Sequence, residues 1–188
     1  MDLLDDTNHY IMVVEDLLSQ KECDSIIHFI DSNNPTAAPV ITLRGEAYKP
    51  DIRNNQRVMK TDFELADYLF QRVRHRIPTS IFDYEVVGLN ELFRCYRYKK
   101  GMQFKPRSDS SYERNKDERS FYTFLIYLNE VEEGGETGFL VEPELSFSPK
   151  MGRGILFQHP LEHEGCEVIK GTKYVIRTDV MYRRTMPK

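Results

Sequence analysis

The spacing of apolar residues changes once along this chain, near residue 80. Before that point it is helical. Ser19-Gln-Lys-Glu22 has the form of a capping box, and Cys23, Ile26, Ile27 and Ile30 follow on one face, which predicts an amphipathic helix from about Gln20 to Asp31. The run Ser-Asn-Asn-Pro-Thr-Ala-Ala-Pro ends it. A second box, Thr61-Asp-Phe-Glu64, opens a helix with Leu65, Leu69 and Val73 on one face, stopped by Pro78. Residues His9 to Asp16 alternate loosely and predict a first strand, while the polar stretch from Thr42 to Arg57 reads as a loop region.

After residue 80 the pattern becomes short, aromatic and β-branched. Tyr84–Leu89, Leu92–Tyr98, Phe121–Leu128, Gly138–Val141, Gly154–Gln158 and Lys173–Arg183 read as strands, separated by turn signals at Asn129, Gly134-Gly135 and Pro149. Early helices followed by a run of strands predict an α+β, mainly β fold, with the helices buttressing a β-sandwich or jelly roll. The expected division is one domain over 1–188, with helical support over about 19–77 and a β core over about 84–184.

Composition narrows the function classes. A formal charge of −4 gives no basic surface for nucleic acid. No run of 18 apolar residues exists and Met-Asp-Leu-Leu-Asp-Asp lacks the regions of a signal peptide, so the expectation is a cytoplasmic protein with no membrane partner. Cys23, Cys95 and Cys166 are scattered and odd in number, as buried free thiols would be.

The chemistry concentrates in four motifs: Tyr98-x-x-Gly-x-x-Phe-x-x-Arg-x-Asp109, Gly134-Gly-Glu-Thr137-x-Phe139, His163-Glu-Gly165 and Gly171-Thr-Lys-Tyr-Val-Ile-Arg177. Together they resemble the iron(II)- and 2-oxoglutarate-dependent dioxygenases, in particular the bacterial branch similar to prolyl 4-hydroxylases. The resemblance runs from about His9 to Arg184 and implies a double-stranded β-helix with a metal near its open end. It implies the cofactors Fe(II) and 2-oxoglutarate, with ascorbate as an optional reductant. The substrate it implies is a small molecule, or a residue in a peptide or protein, hydroxylated at a C–H bond.

Such a site holds iron(II) on a facial triad of two histidines and a carboxylate, leaving positions open for 2-oxoglutarate and oxygen. By the resemblance Asp109 and His163 are the second and third ligands, and Arg107 stands where the first histidine belongs. A guanidinium stays protonated and offers no lone pair. Its charge would also repel iron(II) by about 8 kcal/mol at ~4 Å and an effective dielectric of ~20. Two readings follow. One is a dioxygenase with an altered metal site; the other is an inactive jelly-roll binding module in which an Arg107–Asp109 pair replaces the metal.

The resemblance assigns Lys173 to the far carboxylate of 2-oxoglutarate, with Tyr98 as its helper. Arg177, on the same strand face as Lys173, is the rival anchor. Arg94 shares the face of Tyr98 and could reach substrate, although pairing with an acidic residue is the plainer expectation. Arg53 and Asn55 could meet substrate at the mouth, and Ser108–Arg119 resembles a mobile lid. His159 is expected at the surface or behind the ligands, and His9, His28 and His75 as structural residues.

Overall fold

The computed structural model describes residues 10–42 and 44–185. His9 therefore lies outside the described residues; the first strand is Ile11–Val14. A large antiparallel sheet runs in the spatial order 11–14, 154–158, 118–127, 173–184, 92–98, 56–61 and 36–37, with 84–89 pairing the far part of 173–184. Facing it is a smaller sheet in the order 145–147, 137–139, 163–165, 104–107.

Alternation along the strands of the large sheet sorts their side chains into two layers. Phe93, Cys95, Phe124, Ile126, Leu156 and Ile176 point to the outer layer, which the helices cover with Ile26, Ile30, Leu69 and Val73. Tyr127, Ile155, Phe157 and Val175 point inward against Phe139 and Val141 from the smaller-sheet side. A third, small cluster of Tyr96, Tyr98 and Val168 lies beside the inner one, at the site.

The first helix, α1 (Gln20–Ser32), carries the full capping box. The Ser19 backbone N–H donates to Glu22 Oε2 at 2.7 Å and the Glu22 N–H donates to Ser19 Oγ at 3.4 Å. The second, α2 (Phe63–Val73), starts differently from the prediction: Thr61 ends the strand Gln56–Thr61, and Asp62 is the cap, accepting from the Leu65 N–H at 2.9 Å. A carboxylate at that point also favours the positive end of the helix dipole. The stretch read as a loop from Thr42 to Arg57 contains a hairpin of Val40–Thr42 with Gly45–Ala47, then enters the 56–61 strand. The expected 108–119 lid is likewise structured, because Glu113–Asn115 forms a hairpin with 118–127 and Arg114 pairs with Glu91 and Glu118.

Among the described residues no helix is long and apolar enough to cross a membrane. Cys23 and Cys95 are buried free thiols, and Cys166 is a half-buried one.

Ser19→Ala removes the side-chain half of the α1 cap and should cost about 1 kcal/mol in urea unfolding. A change below about 0.3 kcal/mol would mean the Glu22 carboxylate alone caps the helix.

Candidate active site

The site lies between the sheets, where the register brings distant residues together. Residues 163–165 pair antiparallel with 104–107, so that Arg107 sits directly opposite His163. Asp109 follows two residues later, with its backbone N–H donating to the His159 carbonyl at 2.8 Å. From the large sheet, Lys173 is paired across from Tyr98, and Arg177 from Arg94.

Asp109 is held on both oxygens. Arg177 Nη1 donates to Oδ1 at 2.8 Å, and Thr123 Oγ1 donates to Oδ2 at 2.6 Å. Burial alone would raise this carboxyl, but Arg177, His163 and Arg107 together pull it well below the usual carboxylate range. Arg177 also reaches Asp179 Oδ1 at 3.1 Å; burial alone would lower its pKa, but the two carboxylates outweigh it and leave the guanidinium more firmly charged than usual.

His163 is 1% exposed, with its ring between Phe139 and Phe157. Its Nδ1 lies 2.8 Å from the Leu161 carbonyl, which can only accept, so the proton is on Nδ1 and Nε2 carries a lone pair. That lone pair faces Asp109 Oδ2 at 3.5 Å. Burial pushes the imidazole down to about 4 against the pull of Asp109, so two acceptors confront one another at neutral pH. A divalent cation between them would satisfy both.

The third position does not complete a metal site. The Arg107 guanidinium lies over Phe104, 3.6 Å from the ring centre. It makes only long bonds from Nη1 to the carbonyls of Phe104, His163 and Lys105, at 3.3, 3.4 and 3.5 Å, and its buried Nε has no partner. Burial lowers its pKa. Among the described residues no three His, Cys, Asp or Glu side chains converge as a metal cluster. The two donors present fit iron; the donor set as a whole does not.

The expected Arg107–Asp109 pair is also corrected. Asp109 turns across the sheet to Arg177, and Arg107 is left on an aromatic face. Arg177 is therefore committed to two carboxylates, whereas Lys173 is 2% exposed and has no anionic partner among the described residues. The Lys173 ammonium lies 5.1 Å from the Tyr98 ring centre and 5.4 Å from that of Tyr127, and burial lowers its pKa to about 7. Gly135, at φ +77°, lies close enough that a Cβ there would come within 3.4 Å of the lysine stem. The glycine pair thus makes the turn and leaves room for Lys173. Thr137 lines the same space and accepts from Tyr127 Oη at 2.6 Å.

Other expected residues fall nearby. Arg94 pairs with Asp179 at 2.8 Å and lines the mouth. Arg53 is buried between Tyr96 and Phe104, at 4.8 and 4.3 Å from their ring centres, and donates to Asn55 Oδ1 at 2.7 Å. Asn55 is fully buried and lines neither cavity of the site, so its expected contact with substrate is corrected to a contact with Arg53.

Of the two places expected for His159, the structure gives the one behind the ligands. It is buried behind Asp109, with Nδ1 3.0 Å from Thr123 Oγ1 and Nε2 2.7 Å from Ser120 Oγ. Thr123 gives its proton to Asp109, so His159 Nδ1–H must donate to Thr123. Ser120 then donates to Nε2 while accepting from the Tyr112 N–H at 2.8 Å. The chain of donors runs one way, from a backbone amide to the carboxylate, and it requires a neutral His159; burial pushes this imidazole down to about 4.

Two cavities meet here. The inner one, of about 20 Å³, lies among Tyr98, Arg107, Asp109, His163 and Lys173. The outer one, of about 330 Å³, lies under the 40–47 hairpin. Arg107 and Asp109 line both.

Lys173 sets a pH dependence whose sign is fixed. Its folded pKa, about 7, lies below the unfolded value of ~10.4, so the unfolded chain binds more protons between those limits and stability rises with pH from 7 to about 10. Lys173→Met should raise the melting temperature at pH 7 and flatten that rise, because an apolar side chain replaces a buried unpaired cation. A lower melting temperature for Lys173→Met would show that the ammonium has a partner that stabilises the fold.

These features have counterparts in known proteins. The 2OG-Fe(II) oxygenase superfamily profile matches residues 93–178, which hold all the motif residues. Prolyl 4-hydroxylase 1 of Arabidopsis thaliana is 26% identical over 188 aligned residues, covering 87% of this chain and 66% of that protein. Probable prolyl 4-hydroxylase 10 of the same plant is 23% identical, covering 86% and 65%. The chain thus spans just under two thirds of the length of these relatives. Among solved structures, a viral collagen prolyl hydroxylase from Paramecium Bursaria Chlorella virus-1, in complex with 2OG, aligns with a TM-score of 0.65 at 20% identity over 93% of this chain and 96% of that one. A Pseudomonas putida prolyl-4-hydroxylase gives 0.66 at 15% identity over 98% of both chains. A Trichoplax adhaerens prolyl hydroxylase, solved with a hypoxia inducible factor peptide, gives 0.69 at 17% identity over 90% of this chain and 82% of that one. Strand order, motif residues and these relatives agree: over residues 93–178 the chain matches the 2OG-Fe(II) oxygenase superfamily, and over most of its length it is similar to prolyl hydroxylases.

Proposed function

We propose that this chain is a prolyl hydroxylase-like 2-oxoglutarate oxygenase domain whose cosubstrate subsite is built and whose metal centre is incomplete at Arg107. The observation that carries the reading is Lys173, a buried cation without an anion, standing opposite Tyr98 at the inner end of the cavity. In this reading Lys173 binds the far carboxylate of 2-oxoglutarate and Tyr98 Oη donates to the same group. Arg177, already neutralised by Asp109 and Asp179, is a poor rival anchor. Asp109 and His163 are the two metal ligands, and Arg107 occupies the first-ligand place without ligating.

The family's metal and cosubstrate supply oxidation of a C–H bond when bound. The residues here orient and enclose: Arg177 and Thr123 fix the Asp109 carboxylate, Leu161 fixes the His163 tautomer, and Phe139 and Phe157 keep water from its ring. The relatives named above are prolyl hydroxylases, one of them solved with a peptide, which supports a peptide or protein substrate here. Free thiols, two of them buried, suit a cytoplasmic setting.

The inner cavity, about 20 Å³, holds about one water, so 2-oxoglutarate enters only if the Arg107 side chain leaves Phe104. Histidine at that position would supply both the missing lone pair and space. The second reading, a non-catalytic module, is favoured by the full engagement of Asp109 with Arg177 and Thr123.

Anaerobic titration with iron(II) and 2-oxoglutarate separates the two readings through the visible charge-transfer band of the bound chelate. The expected result is no band for the chain as it stands and a band saturating at one iron per chain for Arg107→His. Absence of the band in folded Arg107→His would overturn the oxygenase reading and leave the non-catalytic module.

A further inference from the structure

The outer cavity carries an excess of positive charge that the oxygenase reading does not use. Lys49, Arg53, Arg57, Arg94, Arg107 and Arg177 line it, and Asp109 is the only acidic residue among its lining. Glu46 answers Arg57 at 3.1 Å, and Asp179 answers Arg94. Asp109 and Asp179 share Arg177. Six cations therefore face three carboxylates, in a chain whose net charge is −4. The imbalance is local and does not reflect composition.

The donors are also unspent. Arg53 is 7% exposed, and its Nη2 is buried without a partner; Arg107 Nε and Arg177 Nε are in the same condition. These are three of the five unpartnered buried side-chain polar atoms among the described residues, and all three belong to residues lining both cavities. Unpaired buried donors are rare because each one forfeits its bonds to water. The field they create is visible on a neighbour: burial should raise the Tyr96 phenol, yet Arg53, Arg177 and Arg94 hold it below its usual value, favouring the anion. At about 330 Å³ the cavity is within the range of small-ligand sites.

We propose that the outer cavity is a metal-independent carboxylate site, in which Arg107 and Arg53 meet a ligand carboxylate beside Asp109. A guanidinium suits a carboxylate better than it suits any neutral group. The ligand is either a free dicarboxylate or an acidic side chain of a peptide. Arg107 thus gains a role of its own as the charge that recognises the ligand. The proposal deepens the reading above by naming the chemistry its substrate mouth accepts, but it involves no iron and does not need Lys173, which lines only the inner cavity.

The test is isothermal titration of the full chain in EDTA at low ionic strength with three probes: glutarate, acetyl-Ala-Glu-Ala-amide and its neutral counterpart acetyl-Ala-Gln-Ala-amide. At least one acidic probe should bind tenfold or more tighter than the neutral peptide and weaken as salt is added. Tighter glutarate binding assigns a free dicarboxylate, and tighter binding of the Glu peptide assigns an acidic side chain. Arg107→Gln should weaken the acidic probe tenfold or more, Lys49→Glu should also weaken it, and Lys116→Gln, on the exposed hairpin, should leave it unchanged. Lys173→Met should retain binding. Equal affinity for the acidic and neutral peptides, no binding of either acidic probe, or loss of binding in Lys173→Met would each overturn the proposal; the last would place the ligand in the cosubstrate pocket. A failed charge-transfer test in Arg107→His would leave these results standing, so the two readings fail separately.

Discussion

The buried pairing of Arg177 with Asp109 and Asp179 is the interaction on which the site depends. It joins the long 173–184 strand to the segment after 104–107, and so ties the large sheet to the small one across the cavity. Neither partner could be buried alone: removing one member of such a pair leaves an uncompensated charge at a cost of about 3–5 kcal/mol. With Arg177 spoken for, Asp109 cannot also neutralise Arg107, and that guanidinium settles on the nearest electron-rich surface, the Phe104 ring. The stacked position of Arg107 and its unpartnered Nε accompany this sharing of one carboxylate.

Much of the fold could be read from the sequence where burial imposes a period. The strands Tyr84–Leu89, Leu92–Tyr98 and Gly154–Gln158 have the expected limits, because each is an aromatic and β-branched run closed by turn residues. Helix α1 was legible from its cap and its Cys23, Ile26, Ile30 face. Strands of two or three residues, such as Thr36–Ala37 and Val40–Thr42, are too short to show alternation and were hidden in polar surroundings.

The site was legible in its motif residues and obscure in its pairings. Arg107 and Asp109 are two apart on extended chain, a spacing that suggests a shared face, and an ion pair looked natural. The actual partner, Arg177, lies 68 residues on and is reached only through sheet register. Arg53 and Asn55 sit in a polar stretch that reads as solvated, yet Arg53 is clamped between two rings, and a cation on an aromatic face leaves no periodic trace. His159 gave no signal beyond lying four residues before His163, because its function is to fill a gap between two hydroxyls.

The one-way chain of donors through Ser120, His159 and Thr123 makes the twofold symmetry of the Asp109 carboxylate matter. Both oxygens accept, one from Thr123 and one from Arg177. An amide of the same shape has a single oxygen, so either orientation would turn an N–H toward one of those donors. If it faced Thr123, the hydroxyl oxygen could accept through its second lone pair, beside the bond from His159, but its own proton would lose its acceptor. Asparagine at position 109 would therefore leave one donor without an acceptor in either orientation, even though the side chain would fit the space.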